Sequence, residues 1–348
     1  MFKIHDRLIS FDQPAYIIAE LSANHNGSLE RAVRAVHEAK KAGADAIKLQ
    51  TYTADTLTIP CGNEHFQIKG GTLWDGQTLY ELYEQAYMPW EWYPELKKEA
   101  ESAGIHIFST AYDPKSAEFL EKMNVPVHKI ASFEMVDIGL IKLLAATHKP
   151  LIISTGMANL GEIEEAVTAA RGAGAESIAL LKCTSAYPAP AEEMNIRSIP
   201  FLQEKFDTIV GLSDHTMGIM AAVTAVALGA RIIEKHFQLM DEQESADSSF
   251  SMNPAKFRQM VDAVRTAEKT LGRVSFGQNE AEKASLRFRR SLFTVKKINS
   301  GELFTENNIR SIRPGMGLAP KHLSAILGKK ALRAIESGTP LSWEYIQR

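Results

Sequence analysis

The chain has 348 residues, 45% of them apolar and 23% charged, with a formal net charge of −3. That balance suits a globular protein with a sizeable core, one large domain and a small one, and it argues against nucleic acid as a partner because no basic block with interleaved aromatics is present. Cys61 and Cys183 stand far apart in no CxxC or zinc-type spacing, which argues against a disulfide framework and indicates a reducing, cytoplasmic compartment. The opening MFKIHDRLIS has no apolar core, and no run reaches the ~18 apolar residues of a membrane span, so no membrane role is expected.

After an N-terminal extension over residues 1–14, one unit recurs: a β-rich run, a polar or glycine-containing loop, then an amphipathic helical stretch. The strands are YIIAELS from Tyr16, AIKLQTY from Ala46, IHIFST from Ile105, VHKIASF from Val127, LIISTG from Leu151, SIALLKCTS from Ser177, TIVGLSD from Thr208 and RIIEKHF from Arg231. Gly43, Gly104, Gly174 and Gly229 end helical patterns between them, and NPAKFRQMVDAVRTAEKTLG supplies the last helix. Apolar strands alternating with helices predict a parallel sheet, and eight such units predict a (β/α)8 TIM barrel over residues 1–272.

Two segments break the rhythm. Residues Thr53 to Trp90 form a long insertion after the second strand, rich in glycine and aromatics, as expected of a lid or binding loop rather than a surface excursion. From Arg273 the pattern turns polar and aperiodic, predicting a linker over 273–288 and a small, mostly β domain over 289–348.

Barrel active sites form at the C-terminal ends of the strands. Those ends carry Glu20, Asn24 and His25; Lys48 and Gln50; Ser109 and Thr110; Lys129, Ser132 and Glu134; Ser154 and Thr155; Lys182, Thr184, Ser185 and Tyr187; Ser213, Asp214 and His215; and Glu234, Lys235 and His236. Charges are costly to bury without a partner, so three or four lysines among hydroxyls suit a small polyanion such as a phosphate ester bearing a carboxylate. An internal salt-bridge network is the alternative. His215 and His236, on adjacent strand ends, are placed to share a divalent ion with open positions, or to hydrogen-bond as a pair; His25 is a rival acid/base candidate.

IIAELSANHNGSLERA, GADAIKLQTYTADTL, KIASFE, LIISTGMA, LKCTSAYPAP, GLSDHT and LGARIIEKHF, in this order, together with IRPGMGLAP near the C-terminus, resemble the sialic acid synthase family along the whole chain. The resemblance implies a barrel with a C-terminal antifreeze-like (SAF) domain, swapped across a homodimer. It also implies condensation of phosphoenolpyruvate with the open-chain aldehyde of an N-acetylated sugar, releasing phosphate by carbon–oxygen cleavage. His215 and His236 would hold the metal, Mn2+ first and Mg2+ or Co2+ as alternatives, and water would be activated by that metal or by Glu20. Lys48, Thr110, Lys129, Ser132, Ser154, Ser185 and Ser213 would bind phosphoenolpyruvate. Gln50, Glu134, Tyr187 and Asp247 would face the sugar, with Arg313 reaching it from the partner subunit.

ELSANHNG, LQTY, ASFE and LKCT depart from the sialic acid branch and agree, with the insertion, with the branch that makes pseudaminic acid from 2,4-diacetamido-2,4,6-trideoxy-altropyranose. A lid carrying Trp74, Tyr80, Tyr83, Tyr87 and Trp90 is expected to cover that more apolar sugar. The alternatives are a sialic or legionaminic acid synthase and, from another class, a non-catalytic polysaccharide scaffold or carbohydrate-binding protein.

Overall fold

The computed structural model describes residues 1–240 and 245–347. Its chain divides into two compact units, residues 1–272 and 273–348.

The first unit opens with an antiparallel hairpin, β1 (Phe2–Ile4) against β2 (Arg7–Ile9). Eight parallel strands then close into a barrel: β3 (Tyr16–Glu20), β4 (Ala46–Thr51), β5 (His106–Ala111), β6 (His128–Ile130), β7 (Leu151–Ser154), β8 (Ile178–Cys183), β9 (Ile209–Asp214) and β10 (Ile232–His236). Each pairs with the next in sequence, and β10 closes on β3 with His236 opposite Glu20. The eight predicted strands therefore all form. Their near-continuous burial follows from a sheet covered on both faces, by helices outside and by packed side chains within.

The helices bury single stripes. Leu29–Lys41 starts at Ser28, whose hydroxyl accepts from the Arg31 amide, and buries Ala32, Ala35, Val36 and Ala39. Pro254–Leu271 starts at Asn253, has proline in its first turn, and buries Phe257, Met260, Val261 and Val264 with the same spacing. Full burial of such large side chains contributes roughly 1.5–3 kcal/mol each. Gly43, at φ +92°, both ends the first helix and leaves room for Val261, whose Cγ1 would lie 3.1 Å from a Cβ there.

The insertion is structured. It holds short helices at Ala54–Leu57 and Leu79–Ala86, a single 3-10 turn at Glu64–Phe66 and a bridge between Gln67 and Thr78. The polar stretch after residue 273 holds one regular element. A 3-10 helix, Glu280–Phe288, forms there because Asn279 and Glu282 cap each other's backbone amides, although none of its side chains is buried.

The second unit pairs β11 (Ser291–Thr294) with β12 (Ile309–Ile312) and adds isolated bridges such as Ile298 with Ile335 and Ala331 with Ile346. Leu292, Ile298, Phe304, Ile309, Ile326, Ile335 and Leu341 belong to its small core. Among the described residues, no helix is long and apolar enough to cross a membrane.

Candidate active site

The carboxyl ends of the barrel strands open on a cavity of about 330 Å³. Side chains alternate along a strand, so only every second residue near a strand end faces it. Glu20, Lys48, Lys129, Ser154, Cys183, Ser213, Glu234 and His236 do so. Their neighbours do not. Lys235 and Asp214 form a fully buried ion pair at 2.8 Å, Ser109 meets Thr51 at 2.7 Å, and Lys182 turns its ammonium onto the Cys183 carbonyl at 2.7 Å. The expectation of three or four lysines around one anion is thereby corrected to two, Lys48 and Lys129, and part of the polar ring is indeed an internal salt bridge.

Lys48 is the electrostatic centre. Its Nζ lies 2.6 Å from Glu20 Oε2 and 3.5 Å from Glu234 Oε1, and donates to Thr110 Oγ1 at 3.0 Å. Gln50 donates to the other Glu20 oxygen at 2.9 Å. Burial pushes the Glu20 carboxyl up to about 7, against the pull of Lys48 and with the push of Glu234. Glu234 suffers the same burial, but Lys129 and Lys48 outweigh it and hold that carboxyl below its usual value. Two carboxylates on one lysine are thus driven apart, a protonatable one and an ionised one. Lys129 donates to Ser154 Oγ at 2.8 Å and to the Ile130 carbonyl at 2.9 Å, and burial lowers its pKa.

Hydroxyls converge beside these lysines. Ser132 Oγ accepts the Gly156 amide at 3.1 Å. A Cβ on Gly156 would stand 2.2 Å from Ser185 Oγ and 2.7 Å from Ser132 Oγ, so glycine is what lets both serines pack against the backbone there. Ser185 and Thr110 do not themselves line the cavity; they back the groups that do. Glu134 also lies outside the lining, yet its Oε2 is buried without a hydrogen-bond partner, and burial raises its carboxyl to about 7.

The imidazoles of His215 and His236 lie 5.3 Å apart, centroid to centroid. His215 Nδ1 donates to the Thr184 carbonyl at 2.9 Å, which assigns the tautomer and leaves Nε2 as a lone pair. Burial, with the charges of His215, Lys48 and Lys235, holds His236 well below its ordinary pKa, so it is neutral; its Nδ1 is buried and unpartnered. Desolvation works against the charged form of His215, but Cys183, the Thr184 carbonyl and Asp214 outweigh it and raise its pKa; His236 is the neutral ring, and a divalent ion bound between the two would take the Nε2 lone pair of His215 once that ring is deprotonated. Among the described residues, no group of three or more His, Cys, Asp and Glu is placed to hold a metal ion, so His215 and His236 are the pair that would ligate one. Tyr187, 4.4 Å from His215, and Phe250, 4.9 Å from His236, wedge the two rings in place. Asp247 completes this side: it accepts from Ser22 Oγ and, at 3.3 Å, from the Ala23 amide, with His236 Nδ1 4.0 Å away.

Two other expectations change. His25 does not line the cavity; it is buried edge-on against Trp92, accepts the Gly27 amide, and is pushed down to about 4 by burial, so the rival acid/base assignment falls. Of the five lid aromatics, Trp74 and Tyr83 line the cavity. Tyr87 does not; Tyr80 donates to Asp55 at 3.2 Å, and Trp90 donates to the Tyr52 carbonyl and packs on Phe119. Arg313 is exposed in the second unit, directly after β12.

Sequence reasoning missed several lining residues. Glu234 was at a strand end but without a role, although its spacing of two from His236 puts both on one face. Leu57, Ile68, Leu79 and Leu82 form the upper wall instead of the full set of aromatics, and Tyr52 and Tyr112 close the side, 5.2 Å apart.

Residues 35–276 match the NeuB family and residues 289–347 the SAF domain. The chain is 48% identical over 330 residues to the pseudaminic acid synthase of Campylobacter jejuni serotype O:23/36, covering 95% of this chain and 96% of that one. It is 44% identical to the pseudaminic acid synthase of Helicobacter pylori, covering 97% and 99%, and 35% identical to the N,N'-diacetyllegionaminic acid synthase of Legionella pneumophila, covering 95% and 94%. Among solved structures, the spore coat polysaccharide biosynthesis protein spsE of Bacillus subtilis aligns with a TM-score of 0.68 at 33% identity, covering 100% of this chain and 99% of that one.

Proposed function

This chain belongs to the NeuB family, and from that premise we propose that it condenses phosphoenolpyruvate with the open-chain aldehyde of 2,4-diacetamido-2,4,6-trideoxy-altropyranose, forming pseudaminic acid and phosphate. The observation that carries the reading is the pairing, in one cavity, of an anion-binding floor built on Lys48 and Lys129 with a separate pair of adjacent imidazoles under an apolar wall. A scaffold gains nothing from two buried lysines held at strand ends.

Lys48 and Lys129 neutralise the carboxylate and phosphate, and Ser132, Ser154 and Ser213 supply adaptable hydrogen bonds to them, with Thr110 holding Lys48 and Ser185 backing Cys183. His215 and His236 hold a divalent ion, Mn2+ in our assignment with Mg2+ and Co2+ as alternatives; when bound it supplies Lewis-acid polarisation of the sugar aldehyde. Gln50, Tyr187 and Asp247 orient the sugar so that its C1 faces the enol carbon, with the Glu134 carboxyl behind the lining. That carbon attacks C1, the aldehyde oxygen becomes an alkoxide that ultimately takes up the proton given up by the added water, and the positive charge left at C2 of the former enol is met by that water. Glu20, ionised near neutral pH, accepts the proton of that water. The tetrahedral product then expels phosphate, breaking the bond between C2 and the bridging oxygen.

The reading includes a homodimer in which the SAF domain of one chain, through Arg313, meets the sugar in the partner's barrel. Apolar side chains left exposed on the loops that follow the barrel strands support a covered mouth: Phe133, Val136, Met157 and Met217 are all more than half exposed in the single chain. The free Cys61 and Cys183 accord with a cytoplasmic enzyme.

Phosphoenolpyruvate carrying 18O at its bridging oxygen tests the chemistry. Label recovered in phosphate is expected; label retained in the keto acid means phosphorus–oxygen cleavage and rejects the mechanism.

A further inference from the structure

We propose that the insertion forms an apolar roof that selects the acceptor by its missing hydroxyl at C6. This rests on the functional reading above. The helix Leu79–Ala86 is held by its own capping box: Thr78 Oγ1 accepts from the Glu81 amide at 3.2 Å while the Glu81 carboxylate accepts the Thr78 amide at 2.8 Å. A surface helix ordinarily buries its apolar stripe in the core. None of these eight residues is buried; Leu79, Leu82, Tyr83 and Ala86, spaced i, i+3, i+4 and i+7, line the cavity instead, joined by Leu57 and Ile68.

The two ends of the cavity differ in chemistry. The lysine floor takes the phosphoenolpyruvate anion, so C1 of the open-chain sugar must point down to it, and C6, the carbon farthest from C1, points away toward the insertion. Among the described residues, the insertion offers the roof few polar partners: Trp74 Nε1 is already committed to the Ala246 carbonyl at 3.2 Å, which leaves the Tyr83 hydroxyl. A methyl group at C6 gains apolar contact there, whereas a hydroxymethyl group loses its hydrogen bonds to water without replacement. A preference of roughly ten- to a hundredfold for the 6-deoxy sugar follows.

The experiment compares the altrose acceptor with its 6-hydroxy counterpart in the full-length enzyme, measuring kcat/KM for each and KM for phosphoenolpyruvate, in wild type and in Leu82→Gln and Leu57→Ser. Glutamine is a good helix former and position 82 is not buried, so the fold is retained. The expected result is a wild-type preference for the 6-deoxy sugar that falls about tenfold in at least one variant, with KM for phosphoenolpyruvate unchanged. Equal wild-type turnover of both sugars, or a preference that survives both substitutions, overturns the roof and leaves the reaction standing. No wild-type turnover of the altrose sugar rejects the functional reading itself and the roof with it.

Discussion

Lys48 and Glu20 form an ion pair at 2.6 Å in the floor of the barrel, both side chains almost wholly buried, with Glu234 3.5 Å from the same ammonium. Removing the lysine leaves Glu20 without its ion-pair partner, next to a Glu234 that keeps only the charge of Lys129. Lys48→Ala is expected to lower kcat/KM for phosphoenolpyruvate at least a hundredfold and to cost about 3–5 kcal/mol of stability at pH 8. The stability deficit should shrink as pH falls below 7, because protonating a carboxyl relieves the repulsion; thermal melts across that range check it.

Glu20 itself carries a pH signature. Its folded pKa, about 7, lies above the unfolded value of 4.5, so its contribution opposes folding increasingly as pH rises from about 4.5 to about 7 and is constant beyond. The same titration switches the base on. The acid limb of the pH profile of kcat/KM should have its midpoint near 7 and should flatten in Glu20→Gln, which loses 10²–10⁴-fold in rate. An unchanged limb in that variant would assign the titration to another group.

The imidazole pair predicts metal dependence. Treatment with EDTA should abolish turnover and Mn2+ should restore it, while His215→Ala and His236→Ala each raise the Mn2+ concentration needed, measurable by metal titration of the apoenzyme. Full activity after chelation contradicts the assignment of the two histidines.

Lys235 lies one residue from His236 but on the other side of the sheet, paired with Asp214 at 2.8 Å. Lys235→Met strands a buried aspartate, so a loss of about 3–5 kcal/mol is expected. Below its melting temperature this variant should keep far more of its kcat/KM than Lys48→Ala does, since Lys235 faces away from the cavity.

The contrast between Lys48 and Lys235 also marks what was legible in the chain. The eight strands were readable because a two-faced parallel sheet demands continuous apolar runs, and RIIEKHF is such a run despite its charges. Which charges face inward was readable too, by counting in twos: Glu234 shares a face with His236, Lys235 does not, and Cys183 rather than Lys182 meets the cavity. The roof left a fainter trace, the spacing of Leu79, Leu82, Tyr83 and Ala86, which bulkier neighbours such as Tyr87 and Trp90 obscured. The approach of Tyr52 to Tyr112, and of Ser132 to Ser185 across Gly156, joins separate strands and has no local signal at all.

A site shared between subunits predicts complementation. Arg313→Ala and His215→Ala should each be nearly inactive as homodimers, yet mixing and reassociating the two should recover activity, because one barrel in the hybrid has both intact residues. No recovery in verified heterodimers contradicts the exchange.

The reaction is tested most directly by supplying phosphoenolpyruvate and Mn2+ with, in separate assays, 2,4-diacetamido-2,4,6-trideoxy-altrose, N-acetylmannosamine and the legionaminic precursor, following phosphate release and the mass of the nine-carbon product. Turnover of the altrose sugar alone is predicted. Turnover of either other sugar in its place contradicts the assigned acceptor, and the absence of product from all three contradicts catalysis.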